Sequence, residues 1–347
     1  MMWSRTNGIR DDKGEIGSLI ILSEKDVKRA VAMKEAIQVM KDAFIQYARG
    51  DYVMPARNFY QVEDEDYFLL MSSFVKDVIG LKVATSFPSN RNRNVPVTQA
   101  MILLMHRKTG KPLAMMSGTM LTAIKTGAVS GVAIQQFKQD AKSVGLIGTG
   151  QQGLYQLLAA LESANIKNIY LYNRSEHKIK SFIEQFRRLS NSDVHIEQMG
   201  SVEALLDKSE IVITATTSFT PVIPDVPELY QNQDKLFVAV GSFDAAMREL
   251  PESLFRSATY YFIDSEDGKK ECGDIIDPIR NKWMEEDDVI LLSDILTGKR
   301  QVHLKSNEPI VFKTVSMALF DTCIGYFVYH KAKELNLGQQ VDLSFMN

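Results

Sequence analysis

Residues 143–174 constrain the chain more than any other stretch. They run SVGLIGTGQQG, then a long run of mixed polarity, then NIYLYNR. Gly148, Gly150 and Gly153 fill the three glycine places of G-x-G-x-x-G, with Thr149, Gln151 and Gln152 between them. Val144, Leu146 and Ile147 predict a buried strand before the glycines, residues 154–164 a helix after them, and residues 169–172 a second parallel strand. That is a βαβ unit with a phosphate-binding turn. Gly148 permits the tight turn, Gly150 lets a pyrophosphate approach the backbone, and Gly153 lets the helix pack close to the strand. The helix N-terminus adds unpaired N–H groups and a partial positive charge. A glycine pattern by itself also fits an ordinary turn; the flanking strands and helix favour a dinucleotide site.

The second strand ends Tyr172-Asn173-Arg174-Ser175. An NAD site usually carries a carboxylate about 20 residues past the glycines, on the ribose 2′-hydroxyl. None stands here. Arg174 can pair with a 2′-phosphate in a planar fork, with Asn173 and Ser175 as neutral donors. The expected cofactor is NADP(H), with NAD(H) as the alternative if Arg174 is simply a solvated residue opening the next helix.

A chain of 347 residues suggests two domains, and its net charge of −3 argues against a nucleic-acid partner. The two cysteines and five scattered histidines form no metal-ligand spacing, so no metal is expected. No apolar run reaches the length of a membrane span. The first residues, MMWSRTNGIRDDKGEIG, lack the apolar core of a signal peptide and read as a mobile extension. The expected setting is cytoplasmic, with a small-molecule substrate.

In chain order, residues 18–22 read as a strand and Ser23 as a helix cap, followed by an amphipathic helix over 33–48. Strands follow over 67–73, 79–86, 98–106 and 112–117, as antiparallel hairpins of a separate domain. Lys82 interrupts an otherwise apolar strand; pointing to solvent is the plain alternative to a role. Residues 118–137 form a helix of small residues with Lys125 in its middle, a position that asks for a charge partner; tight helix packing explains the small residues equally well. Later strands end at Thr216-Thr217, Gly241-Ser242-Phe243 and Asp264. Those ends should face cofactor or substrate, since ligands in such sheets lie at the carboxyl ends of strands. A strand over 310–312 and a helix over 314–334 read as a return to the first domain. The expected architecture is α/β: a Rossmann-like domain, 136–307, inserted in an α+β domain formed by 1–135 and 308–347.

The stretches GLKVATSFP, TGKPLAMMSGTMLTAIKTGAVSGVA, GLIGTGQQG, AVGSFDAAMREL and PIVFKTVSMALFDTCIGYFVYHKAKELNLG together resemble the ornithine cyclodeaminase/mu-crystallin family over nearly the whole chain. The resemblance implies a substrate-binding and dimerisation domain, a homodimer, and hydride transfer between a nicotinamide and the α-carbon of an amino or imino acid. It implies that Arg57 binds the substrate carboxylate, a surface arginine being the alternative, and that Lys82 is the active-site lysine. It places Lys125 where the family usually has a substrate-binding arginine. From the glycine turn and the strand ends, cofactor contacts are expected at Gly148, Thr149, Gly150, Gln151, Gln152, Gly153, Asn173, Arg174, Ser175, Thr216, Thr217, Gly241 and Ser242.

Phe243 stands where ornithine cyclodeaminases carry an aspartate that activates the amine, and an apolar group is no base. The implied function is therefore an NAD(P)H-dependent reductase of a cyclic α-imino acid such as pyrroline-2-carboxylate or piperideine-2-carboxylate. An NAD-dependent ornithine cyclodeaminase and a non-catalytic ligand-binding protein are the alternatives. The sequence does not say whether Asp244, Glu249 or Asp294 reaches the site.

Overall fold

The computed structural model describes residues 18–93 and 95–343, so the N-terminal extension lies outside the described residues. The chain forms two compact units, Met1–Lys125 with Met317–Asn347, and Thr126–Ser316.

The first unit opens with β1 (Ser18–Leu22), α1 (Glu24–Ala30) and α2 (Met33–Arg49). Ser23 starts α1 with a capping box: its hydroxyl accepts from Asp26 N, and the Asp26 carboxylate accepts from Ser23 N. There follow β2 (Tyr52–Val53), β3 (Asn58–Glu63), β4 (Asp66–Val75), β5 (Val78–Ser86), β6 (Thr98–His106) and β7 (Pro112–Ser117), then α3 (Gly118–Phe137). One mixed sheet runs from the closing strand Gln339–Asp342 through β1, β7, β6, β5 and β4 to β2, with β3 also on β4. Only β1 and β7 run parallel. Side chains alternate faces along a strand, so Val78, Gly80, Lys82 and Ala84 of β5 share the buried face. The long helix Ala318–Glu334 packs on that face. It comes so close that a Cβ on Gly80 would lie 2.1 Å from Thr322 Oγ1. Phe44 of α2 meets Phe320 of the same helix edge-on, with ring centroids 4.8 Å apart.

The second unit holds β8 (Ser143–Ile147), α4 (Gln151–Ser163), β9 (Asn168–Tyr172), β10 (His195–Gln198), β11 (Ile211–Thr214), β12 (Leu236–Ala239), β13 (Tyr261–Ile263), β14 (Val289–Leu291) and β15 (Ile310–Lys313). All are parallel, in the order β10-β9-β8-β11-β12-β15-β13-β14. This is a Rossmann-type sheet with its order reversing beside β8.

Three expectations are corrected here. The strand Ile310–Lys313 does not return to the first domain; it lies between β12 and β13. Its residues are all buried, as a strand covered on both faces requires, and such a run carries no mark of which sheet it joins. The following helix begins at Ala318, not at residue 314. Asp264 Oδ2 holds the intervening segment, accepting from Thr314 Oγ1 at 2.6 Å, Val315 N at 3.0 Å and Ser316 N at 2.7 Å. Asp264 is thus wholly buried and turned inward, contrary to the expectation that it faces a ligand. No helix among the described residues is long and apolar enough to cross a membrane.

Candidate active site

The first unit gathers Lys82 and Lys125 around a residue not singled out above, Asp321. Its Oδ1 lies 2.8 Å from Lys125 Nζ and 3.4 Å from Lys82 Nζ. Three elements converge there: Lys82 comes from the buried face of β5, Lys125 from the middle of α3, and Asp321 from the first turn of Ala318–Glu334. Lys125 is fully buried, and Lys82 and Asp321 nearly so. Asp321 is therefore the charge partner that the position of Lys125 demands. Its other oxygen, Oδ2, is buried without a hydrogen-bond partner among the described residues. Arg57 is half-buried just before β3, and its positive charge acts on Lys82.

The electrostatics follow from burial and from sharing one carboxylate. Burial lowers the Lys82 ammonium to about 8; the Asp321 carboxylate opposes this, while the Lys125 charge adds to it. Burial pushes the Asp321 carboxyl up, yet Lys125 and Lys82 together outweigh that and hold it below its ordinary value. The group combines positive charge for an anionic ligand with a lysine that exchanges its proton near neutral pH.

In the second unit the glycine turn takes the shape its spacing demands. Gly148 sits at φ 102°, in the left-handed region, and a Cβ there would lie 2.5 Å from Ala215 O. A Cβ on Gly153 would lie 2.4 Å from Gly148 O, so α4 can pack this close only at glycine. Gly150, at the N-cap of α4, is exposed and would carry a Cβ into open space. Thr149 Oγ1 and Gln152 Oε1 are buried and unpartnered among the described residues. An open approach over Gly150, a bare helix N-terminus and orphaned polar atoms beside it fit a bound pyrophosphate.

Asn173 is committed to the turn: its Oδ1 accepts from Thr149 N at 3.2 Å and its Nδ2 donates to Ser175 O at 2.9 Å. Arg174 is exposed at the end of β9, Ser175 is half-buried and Gln151 is exposed. Thr216 is half-buried and Thr217 exposed at the end of β11; Gly241 is half-buried after β12. Ser242 is wholly buried, with its hydroxyl donating to Met247 O at 2.7 Å. Phe243 is exposed, and so is Asp244, whose Oδ1 accepts from Ala246 N at 2.9 Å. Asp294 is half-buried and its carbonyl accepts from Arg300 N. Glu249, whose place the sequence left open, is wholly buried and bonds to Thr214, Thr216 and Gly241.

One unit holds a parallel Rossmann-type sheet with this turn and the other a mixed sheet with a buried lysine–carboxylate group, the parts expected of an NAD(P)-dependent oxidoreductase. The family model of the ornithine cyclodeaminase/mu-crystallin family matches residues 18–336, and the chain belongs to that family. The Δ1-pyrroline-2-carboxylate reductase of Bacillus cereus (strain ATCC 10987 / NRS 248) is 28% identical over 331 residues, covering 93% of this chain and 100% of the relative. The solved structure of Thermococcus litoralis Δ1-pyrroline-2-carboxylate reductase, in complex with NADH and L-proline, is 32% identical with a TM-score of 0.86. It covers 93% of this chain and all, 100%, of its own. An archaeal alanine dehydrogenase dimer with bound NAD shares the fold, at 24% identity and a TM-score of 0.86, covering 94% of this chain and 100% of its own.

Proposed function

We propose that this chain is an NAD(P)H-dependent reductase of a cyclic α-imino acid of the pyrroline-2-carboxylate or piperideine-2-carboxylate type, giving the L-amino acid. The observation that carries the reading is the buried Lys82–Asp321–Lys125 group, with Lys82 lowered to about 8. Reduction of a cyclic imine needs its carboxylate held and a proton delivered to its nitrogen; it needs no base to deprotonate an amine. Arg57 and Lys125 supply positive charge for the carboxylate. Lys82 supplies the proton at nitrogen, and Asp321 keeps Lys82 charged and in place. Phe243 adds no base. The relatives named as pyrroline-2-carboxylate reductases support the same substrate class.

For the cofactor we propose that Gly148, Thr149, Gly150, Gln151, Gln152 and Gly153 hold the pyrophosphate. Arg174, with Ser175, takes the ribose end, and Thr216, Thr217, Gly241 and Ser242 form the rim at the strand ends. Bound there, the nicotinamide supplies the hydride to the imine carbon. The exposed Arg174, with no carboxylate beside it, supports NADPH; the Thermococcus relative was solved with NADH. Asn173 contributes by bracing the turn. We further propose a homodimer, supported by the archaeal dimer of the same fold; a monomer mass by light scattering at assay concentration overturns it.

The functional test sets pyrroline-2-carboxylate and piperideine-2-carboxylate with NADPH or NADH against L-ornithine with NAD⁺. The expected result is consumption of reduced nicotinamide with a cyclic imine. Proline and ammonia from ornithine, with no turnover of the imine, reject the proposal.

A further inference from the structure

We infer that Glu249 is the positioning residue of the nucleotide site, its one carboxylate joining the ends of β11 and β12 into a single rim. The inference rests on the proposed function only in taking that rim to receive the dinucleotide. Oε1 accepts from Thr216 N at 2.7 Å and from Thr216 Oγ1 at 2.8 Å. Oε2 accepts from Thr214 Oγ1 at 2.9 Å and from Gly241 N at 2.7 Å. Four donors fill the acceptor capacity of a carboxylate. Burial favours the neutral acid and pushes the carboxyl up, against the Lys313 charge and the Thr216 bonds. Two of the four partners, Thr216 N and Gly241 N, are backbone N–H groups that can only donate, one to each carboxylate oxygen, so both oxygens are needed as acceptors.

The Glu249 backbone is itself held on both sides. Asp274 Oδ1 accepts from Glu249 N at 2.8 Å and Leu250 N at 3.0 Å, and Val222 N donates to Glu249 O at 2.8 Å. Asp274 Oδ2 lies 3.4 Å from Lys313 Nζ, at the end of β15, both groups fully buried. The two strand ends are drawn so close that a Cβ on Gly241 would lie 1.9 Å from Thr216 O and 2.6 Å from Glu249 Oε1.

The link to the phosphate turn is steric. Ala215 precedes Thr216, and its carbonyl is the atom against which Gly148 packs. Ala215 N also donates to Ile147 O at 2.9 Å. Displacing Thr216 therefore displaces the floor of the glycine turn. Glutamine cannot substitute. With its oxygen on Thr216, its amide N–H₂ faces the Gly241 N–H, a donor that cannot turn away.

The test is titration of the full-length protein with NADH and with NADPH, for the wild type, Glu249→Gln, Thr214→Val and Thr214→Ser. Each variant is also checked by circular dichroism and by melting without nucleotide. The expected result is a loss of nucleotide affinity of about tenfold or more for Glu249→Gln and about threefold for Thr214→Val. Thr214→Ser, which keeps the hydroxyl, should bind as wild type, and the KM for the imine should stay unchanged in all three. A folded Glu249→Gln that binds nucleotide as wild type overturns the inference. If Glu249→Gln does not fold, the threonine pair decides, and equal affinities for Thr214→Val and Thr214→Ser overturn it. Nucleotide binding without imine reduction removes the proposed function and leaves this inference standing; no nucleotide binding by the wild type removes both.

Discussion

Removing either partner of Lys82 should shift the alkaline limb of activity, and in opposite directions. As the proposed proton donor, Lys82 works below its pKa, so kcat/KM should be full below about 8 and fall as pH rises through it. Lys82 Nζ and Asp321 Oδ1 are 3.4 Å apart. Two unit charges at that distance interact by ~5 kcal/mol at an effective dielectric near ~20, or ~3 to 4 pKa units before Lys125 is counted. Lys125, at 2.8 Å from the same oxygen, repels Lys82 and offsets part of this. Asp321→Asn should therefore lower the limb by about 1 unit or more. Lys125→Met removes the repulsion and leaves Asp321 to Lys82, so the limb should rise by about 1 unit. The assay is kcat/KM for the imine across pH, with melting recorded for each variant, because Asp321→Asn leaves Lys125 buried without this counter-charge at ~3 to 5 kcal/mol. The substrate's own titration is common to all variants and cancels. A limb that stays at the same pH in both folded variants, or moves the same way in both, refutes the reasoning.

Three further outcomes are expected. Arg174→Ala should raise the KM for NADPH roughly tenfold and leave that for NADH nearly unchanged; equal effects on both would remove the 2′-phosphate reading. Gly153→Ala drives a Cβ to 2.4 Å from Gly148 O, so the turn must open and nucleotide titration should show binding largely lost; wild-type affinity contradicts this. Asp264→Ala strips three donors of residues 314–316 of their acceptor. Denaturant unfolding should show a loss of about 3 kcal/mol, and an unchanged midpoint contradicts it.

Local rules made the glycine turn, the hairpins and α3 legible, because each is written in consecutive residues. Gly148 and Gly153 are read from close approach, and β6 and β7 from apolar runs bounded by a turn. Other elements are set by distant partners. Ile310–Lys313 is an apolar run like any other, and only its pairing with β12 and β13 shows which sheet owns it. The helix His177–Leu189, expected above only as the helix after Arg174, is legible in its own right, since Ile179, Phe182 and Phe186 keep one buried stripe on a highly charged helix. Asp321 had a signal too: a lone acid in the apolar run LFDTCIG mirrors Lys125 in its own small-residue helix, 196 residues earlier. Asp264, at the end of β13, and Glu249, in the loop after β12, show why acids near strand ends mislead. Their nearest donors are backbone N–H groups and hydroxyls of their own domain, so they turn inward, Glu249 onto the ends of β11 and β12 and Asp264 onto residues 314–316.

The central claim is that this chain moves a hydride onto the α-carbon of a cyclic imino acid. Its most direct test is a reaction of pyrroline-2-carboxylate with reduced nicotinamide nucleotide deuterated at the transferred position, followed by mass and NMR analysis of the proline. The expected product is L-proline carrying one deuterium at Cα, formed in step with loss of nicotinamide absorbance and abolished by Lys82→Met. Proline without deuterium at Cα, or nicotinamide oxidation that survives Lys82→Met unchanged, contradicts it.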